Sequence, residues 1–135
     1  EMATPDARRC GCTIDYWREY AMCSSSMALA SRAMSFGVNG YDDYGHRIQN
    51  KSALIPELYD CFNTRPVSEF TNHLFPVCLG GQTFTDGNGR RFETLPRLLQ
   101  NAANMSVLLK LDIESAEQEV LPLLADEDFR KIRSL

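Results

Sequence analysis

The 135 residues carry 14 Lys and Arg against 18 Asp and Glu, a formal net charge of -4, and 44% of them are hydrophobic. That length fits one domain able to bury roughly two thirds of its unfolded surface, which argues against a second full domain. Basic residues gather only in short pairs such as Arg8-Arg9 and Arg90-Arg91, which argues against nucleic acid as the main partner, and no apolar stretch approaches the ~20 residues a membrane span needs.

Residues 1–12 hold Pro5, Gly11 and mixed charge without periodicity, so they read as an irregular arm. No order of charged, apolar and small residues marks a signal peptide, and the start at Glu1 rather than Met leaves room for a targeting segment lost in processing. A soluble chain of unassigned compartment, organellar ones included, is the expectation. Ile14, Trp17, Tyr20 and Ala21 then keep partial helical spacing, which predicts a short helix over residues 15–23 with Thr13 or Asp15 near its start. Trp17 should pack on a core. Residues 1–32 are accordingly read as an N-terminal arm with a short helix.

Cys10, Cys12 and Cys23 are compatible with one disulfide in an oxidising compartment or with free thiols, and the scarcity of intracellular disulfides favours the thiols. All five cysteines lack a Cys-x-x-Cys pair and have only His46 and His73 beside them, which disfavours a zinc site.

Ala33 to Val38 reads as a short buried strand entering a glycine turn at Gly37 and Gly40. A glycine turn after a strand permits close backbone approach to a ligand, although the spacing of Gly37, Gly40 and Gly45 is not the dinucleotide-binding pattern. Asp42 and Asp43 are positioned to cap a helix over residues 44–53, which Pro56 terminates. Residues 57–62 form the next short strand with Asp60 near its carboxyl end, 23 residues beyond Gly37. Such an acidic residue either accepts hydrogen bonds from ribose hydroxyls or forms the turn ahead of Asn63-Thr64-Arg65-Pro66. Residues 73–79 predict a further strand with Pro76 at an edge or end. Cys61 and Cys78, both in apolar runs, are expected as buried free thiols.

Residues 83–93 predict a hairpin around Asp86-Gly87-Asn88-Gly89 with Phe84 and Phe92 on one face. Thr94 and Pro96 open a helix whose apolar face is Leu95, Leu98, Leu99 and Ala102. The run Val107-Leu108-Leu109-Lys110-Leu111 then suits a strand buried on both faces, and it ends in Asp112, Glu114 and Glu117. Carboxylates there stand at the sheet edge where open α/β folds bind ligands, or they only complement the start of the helix that follows over residues 115–125. Ile132 to Leu135 reads as the beginning of another strand.

Alternating strands and helices in this order predict a doubly wound, mostly parallel α/β sheet. Ser35-Phe36-Gly37-Val38-Asn39-Gly40, Leu58-Tyr59-Asp60-Cys61-Phe62, Phe75-Pro76-Val77-Cys78-Leu79-Gly80-Gly81, Phe92-Glu93-Thr94-Leu95 and Leu109-Lys110-Leu111-Asp112-Ile113-Glu114-Ser115-Ala116-Glu117 together resemble the methyltransferase-like domains related to the FkbM family. The resemblance covers residues 33–135 and is carried most by the Lys-x-Asp-x-Glu-x-x-Glu run. It implies a Rossmann-like methyltransferase fold, incomplete at its C-terminal edge, and S-adenosylmethionine as cofactor. By position, Gly37, Val38 and Asn39 would border the methionine moiety, Asp60 would hold the ribose, and Asp112 and Glu114 would face the cofactor or acceptor pocket. No catalytic residue is named by it, because methyl transfer depends mainly on placing two reactants in line.

Two functions follow as expectations. One is methyl transfer to a small-molecule or protein acceptor. The other is a non-catalytic structural or interaction subunit that keeps a shortened methyltransferase fold and covers its exposed C-terminal sheet edge with a protein partner.

Overall fold

The computed structural model describes residues 13–17, 20–38, 41–65 and 73–135. Its centre is a five-stranded parallel sheet built from β3 (Arg32–Phe36), β4 (Glu57–Tyr59), β5 (Leu74–Phe75), β9 (Val107–Leu111) and β10 (Ile132–Ser134). Their lateral order is β10-β9-β3-β4-β5. The chain thus starts in the middle, runs outward to β5, then crosses back to β9 on the other side of β3. That reversal leaves a crevice at the carboxyl ends of β3 and β9, the position where open α/β sheets place ligands.

Both faces of this sheet are covered, which is why β9 reads as an apolar run rather than an alternation. Val107 and Leu109 pack with Met34, Phe36, Leu95, Leu99 and Val120 on one face. Here lie α3 (Leu95–Leu99) and α4 (Glu117–Val120), the latter continued by a 3-10 turn at Leu121–Leu123 where Pro122 removes a donor. Leu108 packs on the other face with Ala33, Tyr44, Ile48, Trp17, Met22 and Met27. This face carries α1 (Ser24–Leu29) and α2 (Asp43–Lys51), and Asp42 caps α2 by accepting a 2.8 Å hydrogen bond from the Gly45 amide. A last helical turn, α5 (Asp126–Phe129), leads into β10.

The N-terminal part departs from expectation. The segment predicted as a helix over 15–23 is an antiparallel pair, β1 (Ile14–Trp17) and β2 (Tyr20–Cys23), with Trp17 opposite Tyr20. Helices this short are marginal in water, and the aromatic and β-branched residues of Ile-Asp-Tyr-Trp favour a pleated strand once a neighbouring surface covers one side. Trp17 is fully buried while Tyr16 beside it is exposed, the alternation of a strand. Asp15 forms an ion pair with Lys51. The arm over residues 1–12 lies outside the described residues.

The strand predicted over 73–79 is divided. Pro76 lacks the amide a continuous ladder needs, so Leu74–Phe75 pairs with β4 while β6 (Val77–Leu79) turns into a separate three-stranded sheet of order β6-β8-β7. β7 (Phe84–Thr85) and β8 (Arg91–Glu93) form the expected hairpin, with Phe84 opposite Phe92 and the two rings stacked 4.7 Å apart. The division also overturns the expectation of free thiols. It carries Cys78 over the end of β4, where its Cα lies 5.2 Å from that of Cys61, and the two form a disulfide. Cys23 is disulfide-bonded as well.

Candidate functional site

Three strand ends meet in the crevice. β3 runs into Gly37, whose φ is +83° and whose amide donates to the Tyr59 carbonyl at 3.1 Å. A Cβ built on Gly37 would stand 1.7 Å from the Asp112 carbonyl oxygen. Glycine is therefore required by both its dihedral and the approach of β9, rather than by an approaching ligand. On the β9 side the Asp112 amide donates to the Phe36 carbonyl at 3.1 Å.

Beneath this junction lies a buried polar network. The Lys110 ammonium, 6% exposed, donates to the Gly37 carbonyl at 3.0 Å and lies 3.4 Å from the carboxylate of Asp42, 2% exposed. The Ser35 hydroxyl reaches the same Asp42 oxygen at 3.1 Å. Lys110, a lone charge within the apolar run of β9, thus ties the glycine turn of β3 to the cap of α2. Its position was the available sequence signal. Asp42 was legible only as a cap.

Asp60 follows β4. One carboxylate oxygen accepts from the Val38 amide at 3.0 Å, the other from the amides of Phe62 and Asn63 at 2.8 and 2.9 Å. It therefore clasps the turn after β3 to the loop after β4, and both readings of its role, turn former and hydroxyl acceptor, draw on the same oxygens. A carboxylate offers about four acceptor positions, so roughly one remains. Val38 itself points into the core with Leu58. Asn39 lies outside the described residues.

Of the three carboxylates after β9, Glu117 is engaged locally, accepting from the Ile113 amide at 3.1 Å. Asp112 and Glu114 are exposed, and neither carboxylate accepts a hydrogen bond among the described residues. Glu114 and Ser115 take φ of 54° and 71°, a left-handed pair of non-glycine residues that turns the chain into α4.

These groups border a cavity of about 600 Å³, a size that suits a small organic ligand. Gly37, Asp60, Asp112 and Glu114 line it, so four of the six sequence-derived site residues come together. Phe62, Asn63, Cys78 and Phe92 also line it and were not anticipated as site residues. Phe62 is 68% exposed, meets Phe92 edge to face at 6.3 Å, and has the Arg90 guanidinium 4.3 Å above its ring. Among the described residues, every charged side chain lining the cavity is a carboxylate. Tyr59, stacked between Phe36 and Phe75, completes the floor, and burial together with Glu57 raises its hydroxyl pKa well above the ordinary tyrosine range, so it stays neutral.

No helix among the described residues is long and apolar enough to cross a membrane, and no group of three or more His, Cys, Asp or Glu among them is placed to hold a metal ion. No family model, curated protein or solved structure matches the chain.

Proposed function

We propose that the chain is an S-adenosylmethionine-dependent methyltransferase-like domain acting on an unidentified acceptor. One observation carries the reading: a cavity of small-ligand size at the crevice where the strand order reverses, lined together by Gly37, Asp60, Asp112 and Glu114. The order third, second, first, fourth, fifth for the parallel strands is that of the Rossmann-like fold the resemblance implies. The lining fits the cofactor. Carboxylates without a cation among the described lining residues suit a sulfonium, aromatic faces suit its purine, and Asp60 keeps roughly one acceptor position for a ribose hydroxyl.

When bound, the cofactor supplies an electrophilic methyl group. The chain's own residues hold and orient: Asp60 would accept from the ribose, and Gly37, kept in place by Lys110, would border the methionine portion. Asp112 and Glu114 would face the cofactor or acceptor pocket. Isothermal titration with S-adenosylmethionine and S-adenosylhomocysteine tests the reading, and absence of binding by both rejects it.

A second reading, a non-catalytic interaction subunit on the same fold, is favoured by the three backbone amides that occupy Asp60. Under it Asp60 is a structural clasp, and a protein partner covers β10 at the C-terminal sheet edge.

A further inference from the structure

The cavity has two walls that belong to different sheets. Asp60, Phe62 and Asn63 follow β4 of the five-stranded sheet, whereas Cys78, Leu79 and Phe92 belong to the three-stranded one. No strand ladder joins the two sheets among the described residues. Among the described residues, the side-chain contacts of the loop after β4 with the small sheet include the edge contact of Phe62 with Phe92 and the stacking of Arg90 on Phe62, both at an exposed ring and worth little individually. Besides the backbone itself, which passes from Phe75 of β5, whose carbonyl accepts from the Asp60 amide at 3.2 Å, through Pro76 into β6, the covalent tie is the Cys61–Cys78 disulfide, placed one residue after Asp60, with the Cys61 amide donating to the Cys78 sulfur at 3.0 Å.

We propose that this disulfide is a redox-dependent fastening of the cavity: the oxidised chain holds the ligand, and reduction by a dithiol releases the Asp60 loop and weakens binding. The ligand side of this rests on the methyltransferase reading. Cys78 lines the cavity and is half-buried, whereas Cys61 is 6% exposed, so a small dithiol reaches the Cys78 sulfur first. Its thiolate attacks that sulfur, the S–S bond breaks, and the electron pair leaves on Cys61, which takes a proton. The second thiol of the reductant then attacks the mixed disulfide, closing the reductant into a cyclic disulfide and freeing Cys78 as a thiol. Two electrons and two protons have passed to the protein. Reduction uncouples Cys61 from β6, and the neighbouring clasp of Asp60 on the Val38, Phe62 and Asn63 amides then has one fixed side instead of two.

The test compares the oxidised wild-type chain with the Cys61→Ser, Cys78→Ser double variant, which keeps the Cys23 bond, and with wild type under mild dithiothreitol. Hydrogen exchange at the amides of Val38, Phe62 and Asn63 reports the clasp directly, and S-adenosylhomocysteine titration reports the cavity. We expect exchange at those amides to accelerate at least about tenfold on loss of the bond while amides of β9 change little, and S-adenosylhomocysteine affinity to fall by a similar factor. Because linkage is reciprocal, saturating S-adenosylhomocysteine should slow trapping of the Cys61 and Cys78 thiols by iodoacetamide. Unchanged exchange at the three amides in both reduced forms overturns the proposal, as does equal affinity of the oxidised and reduced chains. Failure of both S-adenosylmethionine and S-adenosylhomocysteine to bind even the oxidised chain rejects the methyltransferase reading instead, and the exchange comparison still decides the fastening.

Discussion

Single side chains at the strand ends hold this site together through backbone groups, so their replacement should be read first as a change in stability. Asp60→Ala removes the acceptor of three amides and should cost about 1 to 3 kcal/mol in denaturant titration. If Asp60 also meets a ribose, S-adenosylmethionine affinity falls under conditions where the variant is fully folded; unchanged affinity there assigns it to the clasp alone. Lys110→Met leaves the carboxylate of Asp42 without its cation in a buried place, although Ser35 and the Gly45 amide still serve it. A loss of about 3 kcal/mol is expected, and a loss under ~1 kcal/mol would show that the pair contributes little. What the sequence offered at this scale was uneven. An aspartate at the end of a strand is visible in one dimension, but the amides it binds belong to Val38 in the turn after β3 and to its own loop, and only the fold places them around it.

The strands and helices show where periodicity succeeds and where it gives way. β9 was legible because burial on both faces leaves an uninterrupted apolar run, and Leu109→Ala should cost about 2 to 5 kcal/mol by opening a cavity in that core. Residues 15–23 misled because four residues of helical spacing are also compatible with two strands of four, and the choice belongs to the surface that Trp17 meets rather than to the segment. The hairpin of β7 and β8 carries its own charge chemistry. The hydrogen bond from Arg91, aided by the Thr83 hydroxyl and Arg97, holds the Glu93 carboxyl below the ordinary range against the effect of burial, and Arg90 does the same for Asp86. Both groups bind protons less tightly folded than unfolded, so their contribution is present above the ordinary carboxylate value and is lost as pH falls through the lowered folded values. Melting temperature should therefore drop on acidification below about pH 4, and Glu93→Gln should flatten that limb. An acid limb of unchanged slope in the variant would remove Glu93 from the account.

For the molecule as a whole, a mostly parallel α/β sheet was legible from the succession of elements, whereas its strand order and the second sheet were not. The reason is Pro76, which was read as the mark of a strand edge when it is the point at which one strand becomes two, and that same step brings Cys78 to Cys61 and creates the cavity's second wall. The outer sheet edge has a different consequence. Among the described residues β10 pairs only with β9, its residues are half-buried, and Leu123, Phe129 and Leu135 in and beside the segments flanking it are exposed. An edge strand with unpaired backbone groups next to exposed apolar side chains is a template for another chain, since joining it satisfies amides and removes apolar area from water in one step. We therefore expect the 135-residue chain made alone to associate with itself as concentration rises, and Phe129→Glu, at an exposed position on α5, to reduce that association without lowering the melting temperature. Sedimentation velocity over a concentration series with thermal melts checks both. A compact monomer at every concentration that melts cooperatively would show that β10 needs no cover.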